Sequence, residues 1–231
     1  MSYKQFIIIA GAIMSTIGLD AQNPDWAKLG RYAEANKQLI ATAPVSEGRV
    51  VLIGNSITDC WPGNHKEFFT ENGLIGRGIS GQTSYQFIVR FREDVVALRP
   101  EIVVINVATN DIAENTGPYD QSRTLGNIKS MVEIARANGI KVILTSVLPT
   151  DRFGWRPEIE DVVGKISRLN NAIRDYAQSE GMPYVDYYSA MVDSSTGAMK
   201  EGLSSDGVHP NKEGYAIMEE ILLPVIERLR K

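Results

Sequence analysis

Residues 50–58 read Val-Val-Leu-Ile-Gly-Asn-Ser-Ile-Thr. The first four are apolar, and Val50, Val51 and Ile53 are β-branched. The run does not alternate and is too short for a buried helix, so it predicts a strand covered on both faces. Strands of that kind belong to parallel sheets flanked by helices. Gly54 then permits a tight change of backbone direction, and the chain turns polar at once.

The same grammar recurs outward from this stretch. Leu74 to Arg77 is a weaker strand, Glu101 to Val107 (EIVVINV) and Lys141 to Val147 (KVILTSV) are strong ones, and Tyr184 to Asp186 is short. Helical spacing marks Trp26 to Ile40, Pro62 to Asn72 before Gly73, and Ser84 to Leu98 before Pro100. It also marks Tyr119 to Asn138 before Gly139, Ile159 to Glu180 before Gly181, and Lys212 to Leu229 with a bend expected at Pro224. Ala41 to Gly48, with Pro44, reads as a loop. Strands alternating with amphipathic helices predict an α/β fold, a central parallel sheet with helices on both faces and right-handed crossovers. Ligands of such sheets bind beyond the carboxyl ends of the strands. The informative residues therefore follow Ile53, Arg77, Val107, Val147 and Asp186.

Composition narrows the function. The chain has 231 residues, 43% of them apolar and 23% charged, which fits one globular domain and excludes disorder. A net charge of −4 argues against a nucleic-acid partner. There is one cysteine and no Cys/His cluster with zinc spacing, so no metal is expected. Any catalytic imidazole is His65 or His209. Lys4, the apolar run Phe6 to Leu19 and Ala21 resemble a secretory signal, residues 1–21, cleaved after Ala21. The run is shorter than the roughly 20 residues of a membrane span, so no stable span is expected after cleavage; an uncleaved interfacial anchor is the other reading. The expected organisation is a single domain over 22–231, with an N-terminal helical extension over 22–48, in a secreted or periplasmic protein. Losing Lys4 and Asp20 leaves the net charge unchanged. Cys60 suits an oxidising compartment when buried or unpaired.

Four segments at strand ends and loops carry chemistry. Ser56, just after the first strand, is a nucleophile if a base takes its proton, or a helix N-cap. Gly78-Ile79-Ser80-Gly81-Gln82-Thr83-Ser84 either aims backbone amides at a ligand or is a plain loop. Asn110, in Ala108-Thr109-Asn110-Asp111, either donates to a developing oxyanion or caps a turn. In Ser205-Asp206-Gly207-Val208-His209-Pro210 the spacing lets Asp206 orient His209 and His209 deprotonate Ser56; a capped surface turn is the alternative. The order Ser, Asp, His is that of serine hydrolases on α/β sheets, but the elbow G-x-S-x-G is absent, because residue 58 is Thr.

From about Arg49 to the last helix, these segments resemble the GDSL/SGNH hydrolase superfamily. The resemblance implies a flavodoxin-like three-layer α/β/α sandwich. It implies Ser56 as nucleophile, Asp206 and His209 as its partners, and an oxyanion hole of the Ser56 and Gly81 amides with the Asn110 side chain. It implies an acyl-enzyme mechanism with no cofactor. Two positions depart from the family pattern: Asn55 stands where the family has Asp, and Ala108 where it usually has Gly. Secreted members of this size resemble small-acyl esterases, so a small-molecule or carbohydrate ester, most simply an acetyl ester, is the expected substrate. Lysophospholipase- or thioesterase-like activity is the alternative, and a non-catalytic carbohydrate-binding role is the alternative of another class. Trp61, Phe153, Trp155 and Arg156 are read as lying in loops after strands; there Trp61 and Trp155 could stack on a sugar and Arg156 could meet a carboxylate, or all could simply pack the loops. His65, without a nearby Asp in sequence, is read as lying outside the catalytic set.

Overall fold

The structure, a computed structural model, describes residues 25–42 and 48–230. The segment read as a secretory signal lies outside them. Five strands form one parallel sheet: β1 (Val50–Gly54), β2 (Leu74–Gly78), β3 (Ile102–Asn106), β4 (Lys141–Thr145) and β5 (Tyr184–Val185), in the order β2-β1-β3-β4-β5. In register, Val50 pairs with Leu74 on one side and Ile102 on the other. The helices are α1 (Ala33–Thr42), α2 (Ser56–Asn64), α3 (Lys66–Glu71), α4 (Ser84–Asp94), α5 (Thr109–Ile112), α6 (Gln121–Ala137), α7 (Val162–Ser179), α8 (Tyr187–Met191) and α9 (Lys212–Arg230).

Successive strand residues face opposite sides of a sheet, and the two cores divide accordingly. Val51, Ile53, Val103, Ile105, Val142 and Leu144 pack with Phe87 and Phe91 of α4, Ile128 of α6 and Ile166 of α7. Val50, Leu52, Ile102, Val104 and Ile143 pack with Trp61, Phe68, Tyr187 and Met218 from α2, α3, α8 and α9. That is the expected α/β/α sandwich. The chain leaves β1 toward β2 on one side and returns to β3 on the other. The crevice of a doubly wound sheet opens at such a reversal; here it falls between the ends of β1 and β3.

Several boundaries differ from the sequence reading. The region Trp26 to Ile40 is not one helix: a turn and a one-turn 3₁₀ segment, Leu29–Arg31, precede α1. The single helix expected over Pro62 to Asn72 is two: α2, which begins at Ser56 with Pro62 inside it, and α3, with His65 between them. Asn55 makes this early start possible, because its Oδ1 accepts from the Ile57 N–H at 3.1 Å and caps the first turn. The helix expected over Ser84 to Leu98 ends at Asp94, followed by a 3₁₀ turn at Val96–Leu98. The short helices α5 and α8 were not expected from the sequence.

Two glycines let α2 pack closely on the strand ends, Gly54 under the Thr58 side chain and Gly78 against the helix backbone. A Cβ on Gly54 would sit 1.9 Å from Thr58 Oγ1, and one on Gly78 would sit 2.0 Å from the Asp59 nitrogen.

Candidate active site

Ser56 is the first residue of α2, directly after the β1 turn, with Asn55 rather than Ser56 as the N-cap. Its hydroxyl is therefore not spent on the helix. Ser56 Oγ lies 2.8 Å from His209 Nε2, and His209 Nδ1 lies 2.6 Å from Asp206 Oδ2. Asp206 Oδ1 accepts from the backbone N–H of Val208 at 2.9 Å and of His209 at 2.8 Å. The two readings of this loop hold together: the carboxylate caps its own turn with one oxygen and holds the imidazole with the other. Burial alone would raise the Asp206 carboxyl, but the His209 N–H, the His209 ring and the Val208 N–H overcome it and hold the group well below the usual carboxylate range. An ionised carboxylate on Nδ1 keeps the proton on that nitrogen and leaves Nε2 free to accept from Ser56.

Gly81 lies at φ 82, with open space where a Cβ would stand. Asn110, on α5, does not cap its own turn. Its amide Nδ2 donates to the Gln82 carbonyl at 3.0 Å, and the second N–H of that group remains for another acceptor. Ser56, Ser80, Gly81, Asn110, Asn115, Trp155 and His209 line one open cleft of about 290 Å³. Trp155 forms a wall: its ring centroid is 6.3 Å from that of His209, and its Nε1 donates to Asn115 Oδ1 at 3.0 Å. Asn115 Nδ2 in turn donates to the Gly81 carbonyl at 3.2 Å.

Three of the residues singled out in the sequence lie elsewhere. Trp61 is not in a loop: it is a helical residue, 1% exposed, stacked on Phe68 and Tyr215, with Nε1 donating to Glu219, so no face is open to a sugar. Phe153 is buried behind Trp155. Arg156 is not among the cleft residues, and its guanidinium is held by Glu158 at 2.5 Å and the Glu114 carbonyl at 2.7 Å. His65 pairs with Glu219 beside a separate groove of about 680 Å³ that has no Ser, Thr or Cys among its lining residues. Among the described residues, no group of three or more His, Cys, Asp or Glu converges as a metal site would require, and no helix is long and apolar enough to cross a membrane.

Sequence reasoning missed the groups behind the cleft. Asp111 accepts from the Ser84 N–H at 3.0 Å, from the Ser84 hydroxyl and from Thr124 Oγ1 at 3.3 Å, joining α5 to the start of α4. Arg90 is fully buried, and its Nη2 donates to the Gly54 carbonyl at 2.9 Å. A signal for it was present: Phe87, Arg90, Phe91 and Asp94 recur at i, i+3, i+4 and i+7, which sets an Arg–Asp pair on the apolar stripe of α4.

Comparison with known proteins identifies the family. Residues 52–217 match the GDSL-like Lipase/Acylhydrolase family. A GDSL-like lipase of Bacteroides thetaiotaomicron superposes with a TM-score of 0.85 at 53% identity, covering 87% of this chain and 98% of that one. An N-acylneuraminate cytidylyltransferase of Escherichia coli is 26% identical over 77% of the chain, and an acetylxylan esterase of Xylanibacter ruminicola is 22% identical over 78%. The chain spans only 40% and 43% of the lengths of these two curated relatives. The family match covers well over half of the sequence and includes the end of β1, the Gly81 loop, α5 and the His209 loop: the chain belongs to the GDSL-like lipase/acylhydrolase family, a family of ester hydrolases.

Proposed function

We propose that the protein is a serine esterase that removes small acyl groups, acetyl foremost, from carbohydrate or similar alcohols. The observation that carries this reading is the continuous contact from Ser56 Oγ through His209 to Asp206, at 2.8 and 2.6 Å. Ser56 Oγ attacks the ester carbonyl while His209 Nε2 takes its proton. The tetrahedral oxyanion lies between the Ser56 and Gly81 N–H groups and the free N–H of Asn110. His209 passes the proton to the departing alcohol, the acyl–Ser56 ester forms, and a water deprotonated by His209 releases the acid. Asp206 stays ionised throughout and stabilises the imidazolium.

The acetyl and carbohydrate assignments rest on three supports. The cleft, about 290 Å³, is at the small end of ligand pockets, which run from about 300 to 1,000 Å³. Trp155 is 43% exposed and offers a flat ring beside His209. One relative is named for acetylxylan. The apolar run over residues 6–19, preceded by Lys4, supports an exported enzyme.

The test compares p-nitrophenyl acetate with p-nitrophenyl octanoate, using wild type and Ser56→Ala. The expected result is preference for acetate and a fall in kcat of about 10⁴-fold or more in the variant. Preference for octanoate would move the substrate to lipids. Ser56-independent turnover would end the esterase reading, and absence of turnover on any ester, acetylated sugars included, would favour a carbohydrate-binding protein.

A further inference from the structure

Gln82 lies beside the cleft but is not part of it. It is 1% exposed, and each of its four polar groups meets a partner from a different segment. Its N–H donates to Ile79 in its own turn at 3.3 Å. Its carbonyl accepts from Asn110 Nδ2 on α5 at 3.0 Å. Its Oε1 accepts from Arg90 Nε on α4 at 2.6 Å. Its Nε2 donates at 2.7 Å to the carbonyl of Ala27, in the N-terminal segment that precedes the family match.

Both outer partners are themselves fixed. Arg90 also donates to the carbonyls of Gly54 and Arg77, each at 2.9 Å, and to Asp94 at 3.0 Å, so it ties the ends of β1 and β2 to one buried cation. The N-terminal segment is attached to the same region at further points. The Trp26 carbonyl accepts from Gln86 at 3.0 Å, the Tyr32 hydroxyl donates to the Gly78 carbonyl, and Asn36 bridges Arg77 and Asp94, each at 2.8 Å. An amide side chain such as that of Asn110 can rotate about its last bond unless one of its groups is anchored. Anchoring one N–H on the Gln82 carbonyl fixes where the other points.

The geometry points to Gln82 as a positioning residue: the N-terminal segment and Arg90 hold it from two sides, and it sets the Asn110 amide for the oxyanion. The role rests on the esterase reading above and adds a part of the chain outside the family match to the working site. Preorganised donors lower the barrier because they need no rearrangement at the moment of reaction. A loosened Asn110 therefore lowers kcat and leaves ground-state binding little changed.

The experiment is a double-mutant cycle on the purified protein with p-nitrophenyl acetate: wild type, Gln82→Met, Asn110→Ala and the double variant. Gln82→Met should lower kcat about tenfold with KM within about twofold, and Asn110→Ala should lower it about 10²–10³-fold. Because Gln82 acts through Asn110, the double variant should fall within about twofold of Asn110→Ala alone. Losses that multiply, or a Gln82→Met kcat equal to wild type, would overturn the role. If the Met variant does not fold, Gln82→Glu replaces it. That change keeps an acceptor for Arg90 but sets an oxygen against the Ala27 carbonyl, and the same cycle applies. Ser56→Ala separates the two failures: multiplying losses with a dead Ser56→Ala remove only the positioning role, whereas an active Ser56→Ala removes the esterase.

Discussion

Ala108 shows what a single residue carries at this site. It is buried and lies at φ 94, ψ −12, the left-handed region that favours glycine. The sequence already marks it as the position where the family usually has Gly. Three terms of similar size decide the effect of Ala108→Gly. Relief of the backbone is worth about 1–2 kcal/mol. The lost methyl burial costs about 0.8 kcal/mol, and the greater freedom of the unfolded chain about 0.4–1 kcal/mol. The expected change in urea-denaturation stability is within about 1 kcal/mol of zero, whereas loss of about 2 kcal/mol would show that the left-handed backbone is not strained. The residues that meet at the cleft, Ser56, Gly81, Asn110 and His209 with Asp206 behind it, were legible as a group because each follows a strand or sits in a short motif. Gln82 and Asp111 were not, because Ala27, Asn110, Ser84 and Thr124, which give them meaning, lie 13 to 55 residues away; Arg90 carried only the local mark of its pairing with Asp94 one turn on. Starting the helix at Pro62 leaves Trp61 in a loop, whereas the helix begins at Ser56 and carries Pro62 inside it.

At the level of elements, periodicity exposed the long helices and the apolar strands but not α5 or α8. Helices of four or five residues complete barely one turn and leave no repeat to detect. Yet α5 is where the architecture is decided, since Asp111 anchors the first turn of α4 through Ser84. Burial raises the Asp111 carboxyl, opposed by the bonds from Ser84 and Thr124. Its folded pKa thus stands above its unfolded one. As pH rises through the ordinary carboxylate range the unfolded chain loses this proton first, so the group's contribution to stability falls with rising pH until the folded pKa is passed. The stability difference between wild type and Asp111→Asn, measured by urea denaturation, should therefore be more favourable to wild type at about pH 4.5 than at about pH 7. A difference that shifts against wild type on acidification would mean that the hydrogen bonds outweigh burial.

For the whole molecule, the sheet separates two kinds of tryptophan that composition cannot tell apart. Trp61 belongs to the core shared by α2, α3 and α9, while Trp155 stands at the cleft beyond the strand ends. Trp61→Phe should cost about 1–3 kcal/mol of stability, by loss of the Glu219 hydrogen bond and of packing, with KM within about twofold. Trp155→Ala should change stability by no more than about 0.5 kcal/mol, while raising KM for an acetylated sugar. Denaturation midpoints and KM values on the two variants check both, and the reverse pattern would remove Trp155 from the substrate. The layer order and the parallel sheet were legible from the alternation of strands and helices. The attachment of the N-terminal segment to the Gly81 loop was not, since Trp26 to Asn36 carries only the mark of an amphipathic helix.

The close approach at Gly54 and Gly78 bears on how such a site can change over generations. Every amino acid that could replace glycine brings a Cβ, and both positions lack room for that carbon. The gap between α2, which carries Ser56, and the strand ends is therefore closed to gradual adjustment. Gly81 has space around it, so only its backbone angle and its work restrain it. On the reading proposed above, diversification toward new esters falls to the exposed Trp155 on the cleft wall, away from the contact between α2 and the strand ends.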